Sequence, residues 1–233
     1  MSVVPVQCWM RTFKVGFTGG SASCFVVTHR DRQWLITAKH VVDAAVKNGA
    51  DTLELTGENG LSVELKGPME FVPLVEDGPD VAVFGIGDHR IVRDDLQLVP
   101  SADSLALSQE VFFLGYPTPG TLPLSGRLPA VRKGIVSQRA VFNGVVAWII
   151  DGHNLPGFSG GPLVFASHGG IGSNWQVLGV VSAYVQHRIA VEIVGGPVQG
   201  NTGLTVPSNA GLVVVYDIKH AIAAIDAFVD AGN

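Results

Sequence analysis

Charge is scarce in this sequence: Asp, Glu, Lys and Arg together make up 15% of the 233 residues, against 47% hydrophobic residues. That balance excludes a disordered chain, whose composition is the reverse. No basic excess exists either. The net charge of −5 gives no electrostatic reason to expect nucleic acid or an anionic membrane as a partner. No apolar run approaches the ~20 residues that cross a bilayer as a helix. Cysteine is limited to Cys8 and Cys24, too few for a disulfide framework, and two buried thiols are expected in preference to a bridge. The seven histidines are scattered and no H-E-x-x-H or similar spacing occurs, so no metal or other cofactor is expected. The segment from Met1 to Arg11 lacks a basic stretch followed by an apolar core and does not read as a signal peptide. A cytoplasmic location is the expectation, or a secreted one if a leader has been removed.

What the chain does have is many short β-branched runs separated by Gly, Pro, Asn and Asp. Seven candidate strands fall at Thr12–Phe17, Cys24–His29, Gln33–Thr37, Thr52–Thr56, Ser62–Lys66, Glu70–Leu74 and Val81–Ile86. Six more fall at Glu110–Leu114, Ala130–Gln138, Val145–Asp151, Pro162–Ala166, Trp175–Tyr184 and Leu212–Tyr216. Short strands with frequent turn signals indicate an all-β sandwich or barrel. Turns at 19–21, 58–60 and 142–144 suit hairpins. Two helices are expected, at Ala38–Asn48 and at Ile218–Asp230, the second with Asp217 as N-cap. The polar stretch His89–Leu107 reads as a linker, which divides the chain into residues 1–95, residues 96–216 and a C-terminal helix, 217–233, packed on the body. Tyr116–Leu128, Ser167–Asn174 and Gly195–Asn209 read as surface loops.

One stretch carries chemistry. In Gly157-Phe158-Ser159-Gly160-Gly161-Pro162 a serine is framed by glycines at the head of an apolar strand. Such glycines let the backbone take conformations a Cβ forbids and aim consecutive N–H groups into one small space. Serine is a weak nucleophile, so this reading requires a base and a carboxylate that orients it. His40, in Trp34-Leu-Ile-Thr-Ala-Lys-His40, follows directly on a buried strand. Asp80, in Gly78-Pro-Asp80-Val-Ala-Val-Phe84, opens another, where burial is costly unless the carboxylate is partnered. Taken singly each has a bland explanation, a satisfied histidine and a strand cap. Asp43 and Asp77 are rival carboxylates, ranked behind Asp80 because Asp43 sits on the helix behind His40 and no strand follows Asp77.

In that order and those contexts, His40, Asp80 and Ser159 resemble the chymotrypsin/trypsin-like serine peptidases, and within them the bacterial branch that lacks the disulfides of the digestive enzymes. Phe113-Leu-Gly-Tyr-Pro117, Lys133-Gly-Ile-Val-Ser137 and Gly179-Val-Val-Ser-Ala183 are similar to strands of that family's second barrel. The resemblance implies two six-stranded antiparallel β-barrels with a cleft between them, His40 and Asp80 on the first, Ser159 on the second. It implies a serine endopeptidase: Ser159 attacks a peptide carbonyl, His40 shuttles the proton and Asp80 holds the imidazole. The N–H groups of Gly157 and Ser159 would form the oxyanion hole, and Ser182, Ala183 and Tyr184 the strand edge on which a protein or peptide substrate lies.

Departures from the digestive enzymes shape further expectations. Phe158 stands where they carry an Asp that pairs with a newly cut N-terminus, and no Ile-Val-Gly-Gly start is present, so that zymogen switch is not expected. The pocket-floor position is His153 and not an acid, and Tyr184 stands where an open pocket has Gly. A small, neutral or acidic residue at the cut site is therefore expected. The alternative to a working enzyme is a latent or inactive peptide-binding protein of the same fold. The G-x-S-x-G elbow of α/β-hydrolases also matches residues 157–161, but Pro162 and a strand follow where that fold needs a helix. The sequence sets no oligomeric state.

Overall fold

Strands dominate the computed structural model, which describes residues 3–50, 52–57, 62–66, 70–72, 77–87, 90–101, 105–117, 128–142, 144–167, 174–193 and 200–232. A short helix α1 (Val6–Met10) leads into β1 (Thr12–Phe17), β2 (Gly20–His29) and β3 (Arg32–Thr37). Helix α2 (Lys39–Lys47) follows, then β4 (Thr52–Thr56), β5 (Ser62–Lys66), β6 (Glu70–Val72) and β7 (Ala82–Gly85). The second half holds β8 (Val99–Pro100), β9 (Glu110–Gly115), β10 (Ala130–Phe142), β11 (Val145–Asp151), β12 (Pro162–Ser167), β13 (Asn174–Ile193) and β14 (Gly200–Asp217), and ends in α3 (Lys219–Asp230).

These strands form two sheets. The first runs β5-β4-β1-β2-β3-β7-β6, seven strands with every pair antiparallel. In the second, β12 pairs with both β9 and β13, which closes β12-β9-β10-β11-β14-β13 into a six-stranded antiparallel ring. Strand β8 adds to β13 in parallel. The all-β architecture of two antiparallel units with a C-terminal helix is the one expected. The first sheet departs from the six-stranded barrel that the resemblance implies: it has seven strands, matching the seven candidate segments, and no closing pair is formed among its described residues.

Alternation explains why the strands read as continuous apolar runs. Successive side chains on a strand point to opposite faces, and here both faces are covered. On β2, Cys24 and Val26 enter the core of the first unit, while Phe25 and Val27 face outward into a second cluster. On β9, Val111 and Phe113 fill the second barrel, while Phe112 and Leu114 join the same outward cluster as Phe25. That shared cluster is the seam between the two units. Ala221 and Ile225 of α3 complete it, so the last helix locks both halves together. Its outer side is tied to the β2–β3 turn, where Asp226 accepts bonds from His29 and Arg30, each at 2.8 Å. Asp217 does not cap α3 through the N-cap position, which is Ile218, but its carboxylate still accepts the Lys219 N–H at 3.0 Å.

Three expectations need correcting. The linker region contains β8, and its neighbouring residues are stapled down by two buried polar side chains. Arg11 donates to the carbonyls of Leu96, Val26 and Arg93, and Gln33 bonds Val92 and Ile91. The expected loop Gly195–Asn209 is strand from Gly200 onward, because β13 and β14 run on as a long hairpin beyond the barrel. Helix α1 carries no strong periodic signal at five residues and is missing from the sequence reading. The 58–60 turn and most of Tyr116–Leu128 and Ser167–Asn174 lie outside the described residues. Cys8 and Cys24 are both free and buried, Cys8 in the seam and Cys24 in the first core, and burial pushes the Cys8 thiol up to about 12.

Ile225 is fully buried in the seam. Ile225→Ala is expected to cost about 2–5 kcal/mol through lost burial and the cavity left behind, read as a lower urea midpoint. Ala223→Ser, on the exposed face of α3, should leave the stability within about 0.5 kcal/mol of native.

Candidate active site

The turn that carries Ser159 is built by close approach. Gly157 has φ 102° and Gly160 φ 83°, both in the region that favours glycine. A Cβ on Gly160 would run into the Ser23 carbonyl and the Thr37 hydroxyl, and one on Gly161 into the Leu114 carbonyl. Phe158 turns inward as the anchor: it is fully buried and stands edge-on to Phe113 at 5.5 Å and 73°. Room for its ring exists because Gly115 has no side chain there. Gly161 N–H bonds back to Phe158 O at 2.9 Å, and Gly160 N–H reaches Val181 O at 2.7 Å. Among the described residues, the N–H groups of Gly157 and Ser159 form no hydrogen bond.

His40 and Asp80 meet at the mouth of the first sheet. Strand β3 ends at Thr37, and His40 falls on the first turn of α2. No side chain of Ala38 can cap that helix. The Asp80 carboxylate does so from the segment before β7: Oδ1 accepts the His40 backbone N–H at 2.8 Å, and Oδ2 accepts from His40 Nδ1 at 2.6 Å. A negative group at a helix N-terminus is also favoured by the helix dipole. The third donor comes from the other sheet, Ser182 Oγ to Asp80 Oδ2 at 2.5 Å. Desolvation alone would push the His40 imidazolium down, but the bond and charge of Asp80, with Asp43 further off, outweigh it and raise the pKa above the ordinary value. Desolvation likewise works against ionised Asp80; His40 and Ser182 overcome it and hold the carboxyl below its usual range.

With Nδ1 held by a carboxylate, Nε2 is the imidazole nitrogen left to take a proton. His40, Asp80, Ser159, Ser182, Ala183 and Tyr184 all line one open cavity of about 520 Å³. Ser159 Oγ donates to the Ser182 carbonyl at 3.0 Å, not to His40. His153 is placed apart: it lines an adjoining cavity of about 200 Å³ with Asn154, Tyr184 and Asn209, and no acid lines that cavity among the described residues. Tyr184 and Gln186 belong to both walls. Asp43 sits exposed on α2 and Asp77 is exposed as well.

A family model described as a trypsin-like peptidase domain matches residues 22–172. The chain belongs to the trypsin-like peptidase family. Solved structures of the same fold include the Rv3671c protease of M. tuberculosis in its inactive form, at 17% identity and TM-score 0.59, covering 94% of this chain and 89% of that one. Its active form aligns with TM-score 0.56 at 16% identity, covering 94% and 81%. An HtrA-type protease, AlgW, bound to a tripeptide aligns with TM-score 0.61 at 17% identity; the match covers 97% of this chain but 62% of that one. No curated protein matches.

Within this trypsin-like peptidase, three groups were not singled out from sequence for the roles their positions suggest. Ser182 reads there as part of a strand edge, whereas its hydroxyl bonds Asp80. A polar residue inside Gly179-Val-Val-Ser182-Ala was the available signal, since a buried hydroxyl needs a partner. Phe142 and Gln186 line the main cavity by virtue of the strand extensions, which no local pattern announces. Ser23 is the third, a buried hydroxyl bonded to Gly157 O and to the Tyr116 N–H.

Gly160 and Gly211 both have positive φ, 83° and 75°, but open space surrounds a Cβ on Gly211. Both Ala variants should carry the backbone penalty of ~1 kcal/mol. Only Gly160→Ala adds a clash, and its urea midpoint should fall well below that of Gly211→Ala.

Proposed function

We propose that this trypsin-like peptidase is a serine endopeptidase working through Ser159, His40 and Asp80 and an acyl-enzyme. The observation that carries the reading is the carboxylate–imidazole pair, bonded at 2.6 Å, lining the same cavity as a serine on a tight glycine turn. Ser159 Oγ rotates from the Ser182 carbonyl toward His40 when a substrate carbonyl arrives, a tightening that unliganded sites commonly need. His40 takes its proton as Oγ attacks, and returns it to the leaving amine. Asp80 keeps the proton on Nδ1, so that Nε2 is the base, and stabilises the imidazolium formed. The N–H groups of Gly157 and Ser159, which have no acceptor among the described residues, receive the oxyanion. Water then hydrolyses the acyl-enzyme through the same base. The AlgW structure holds a tripeptide, in keeping with a peptide or protein substrate laid along Ser182–Tyr184.

The cavity beside His153 would take the side chain preceding the cut. With no acid among its described residues, and flanked by Tyr184, Asn154 and Asn209, it suits a small, neutral or acidic residue. In a peptide-library digest, cuts should cluster after such residues; dominant cleavage after Arg or Lys would overturn this assignment.

A fluorophosphonate probe tests the nucleophile directly. The native protein should label, and Ser159→Ala and His40→Ala should not; an unlabelled native protein would favour the latent peptide-binding alternative. The labelling rate should rise with pH as His40 loses its proton. Because Asp80 raises that pKa, the midpoint should lie above the ~6.5 of a free imidazole. Asp80→Asn should move the midpoint down while lowering the rate at pH 8 by ~10⁴-fold, as expected where the imidazole tautomer is lost.

A further inference from the structure

We propose that Ser23, on the first sheet, is a positioning residue for the turn that carries Ser159 on the second. Ser23 is fully buried in the middle of β2, and it meets that turn twice. Its Oγ–H donates to Gly157 O at 2.6 Å, and its backbone N–H donates to Ser159 O at 2.9 Å. The same hydroxyl accepts the Tyr116 N–H at 2.8 Å, and the Ser23 carbonyl accepts Thr37 Oγ1 at 2.8 Å. Every polar group of this one residue that faces the turn is therefore committed.

The two bonds bracket the reactive peptide. Gly157 O belongs to the peptide plane before Phe158, and Ser159 O to the plane after Ser159. Holding both fixes the plane between them, which carries the Ser159 N–H. Gly157 has no side chain of its own to hold it and sits at φ 102°, a conformation from which a glycine peptide rotates with little steric resistance. Phe158 anchors the turn from inside, but a ring in a hydrophobic pocket restrains position more than the orientation of adjacent amides. Orientation is what an oxyanion donor needs, since a misplacement of about 1 Å can cost on the order of 100-fold in rate. The Ser23 hydroxyl supplies that restraint from across the seam, so the two units must be docked for the turn to be set.

The proposal rests on the serine-peptidase reading for its kinetic consequence and on geometry alone for its conformational one, and the experiment reads the two separately. Ser23→Ala removes the donor to Gly157 O and the acceptor of Tyr116 N–H; Ser23→Cys keeps the branching of the side chain, with a larger sulfur, and replaces the hydroxyl by a weak donor. Hydrogen–deuterium exchange and fluorophosphonate labelling would be measured on both variants and on the native protein, with melting temperatures to confirm folding. Faster amide exchange in peptides spanning residues 155–161, with β11 unchanged, is expected in both variants. Labelling should slow by ~10- to 100-fold, without movement of the pH midpoint, since Ser23 touches neither His40 nor Asp80. A purely structural role would lower the melting temperature and leave labelling of the folded protein at the native rate. Native exchange in the turn, or native labelling rates in both folded variants, would overturn the proposal. Should Ser23→Ala not fold, Ser23→Cys carries the test. Should the native protein not label, the peptidase reading fails, and the exchange data still decide whether Ser23 holds the turn.

Discussion

No carbon atom fits between Gly160 and the pair formed by the Ser23 carbonyl and the Thr37 hydroxyl. This absence of space is the constraint on which the site depends. It brings the backbone of one sheet into hydrogen-bonding range of the other, so that a turn of the second unit is completed by donors of the first. Backbone contact of that kind tolerates little sliding, because each bond fixes both distance and direction. The apolar seam around it, with Phe25, Leu114 and Val164 buried from both sides, supplies most of the adhesion. The polar contacts set the register of one unit against the other.

Asp80 shows the same division from the electrostatic side. A carboxylate placed at the edge of a β core loses hydration and regains it only if donors converge on it. Here they come from three places: the His40 backbone, the His40 ring and the Ser182 hydroxyl. Two lie on one element, the start of α2, and the third on β13 of the opposite sheet. The β-bulge between Val181 and Ala183 is what turns Ser182 out of the regular alternation, a usual effect of an extra residue in a strand. One anion thus caps a helix, orients an imidazole and joins the two sheets, which is why its ionised form is favoured despite burial.

Much of this was legible in sequence, and the remainder fails for identifiable reasons. The seven and six candidate strands correspond to β1–β7 and β9–β14, because two buried faces produce long apolar runs that stand out against Gly- and Pro-rich turns. His40, Asp80 and Ser159 lie in contexts distinct enough to be picked out, and the structure brings all three to one cavity. What escaped notice depends on partners distant in the chain. The region around Val92 and Leu96 reads as a linker because Arg11 and Gln33 hold it through backbone carbonyls and N–H groups, which leave no trace in side-chain pattern. The extension of β14 back to Gly200 was hidden by Gly203, Pro207 and Gly211, residues that ordinarily mark loops; a two-stranded ribbon projecting past the barrel tolerates them because it has no second face to bury. Ser23 was invisible for the simplest reason. One small polar residue within Ser-Ala-Ser-Cys-Phe carries no hint of what stands 134 positions later.

The Phe158 side chain holds the Ser159 turn by packing alone. Where the digestive enzymes use an Asp to order the serine turn through an ion pair with a new N-terminus, this chain buries an aromatic ring against Phe113 and leaves Gly115 bare to receive it. An ion pair of that type exists only after a cut. Packing of a ring requires no cut, and it fixes the position of the turn within the second barrel. A hydrophobic anchor is less directional than a charged one, however, and the direction must come from elsewhere. The Ser23 bonds across the seam provide it, which ties the turn's geometry to the docking of the two units.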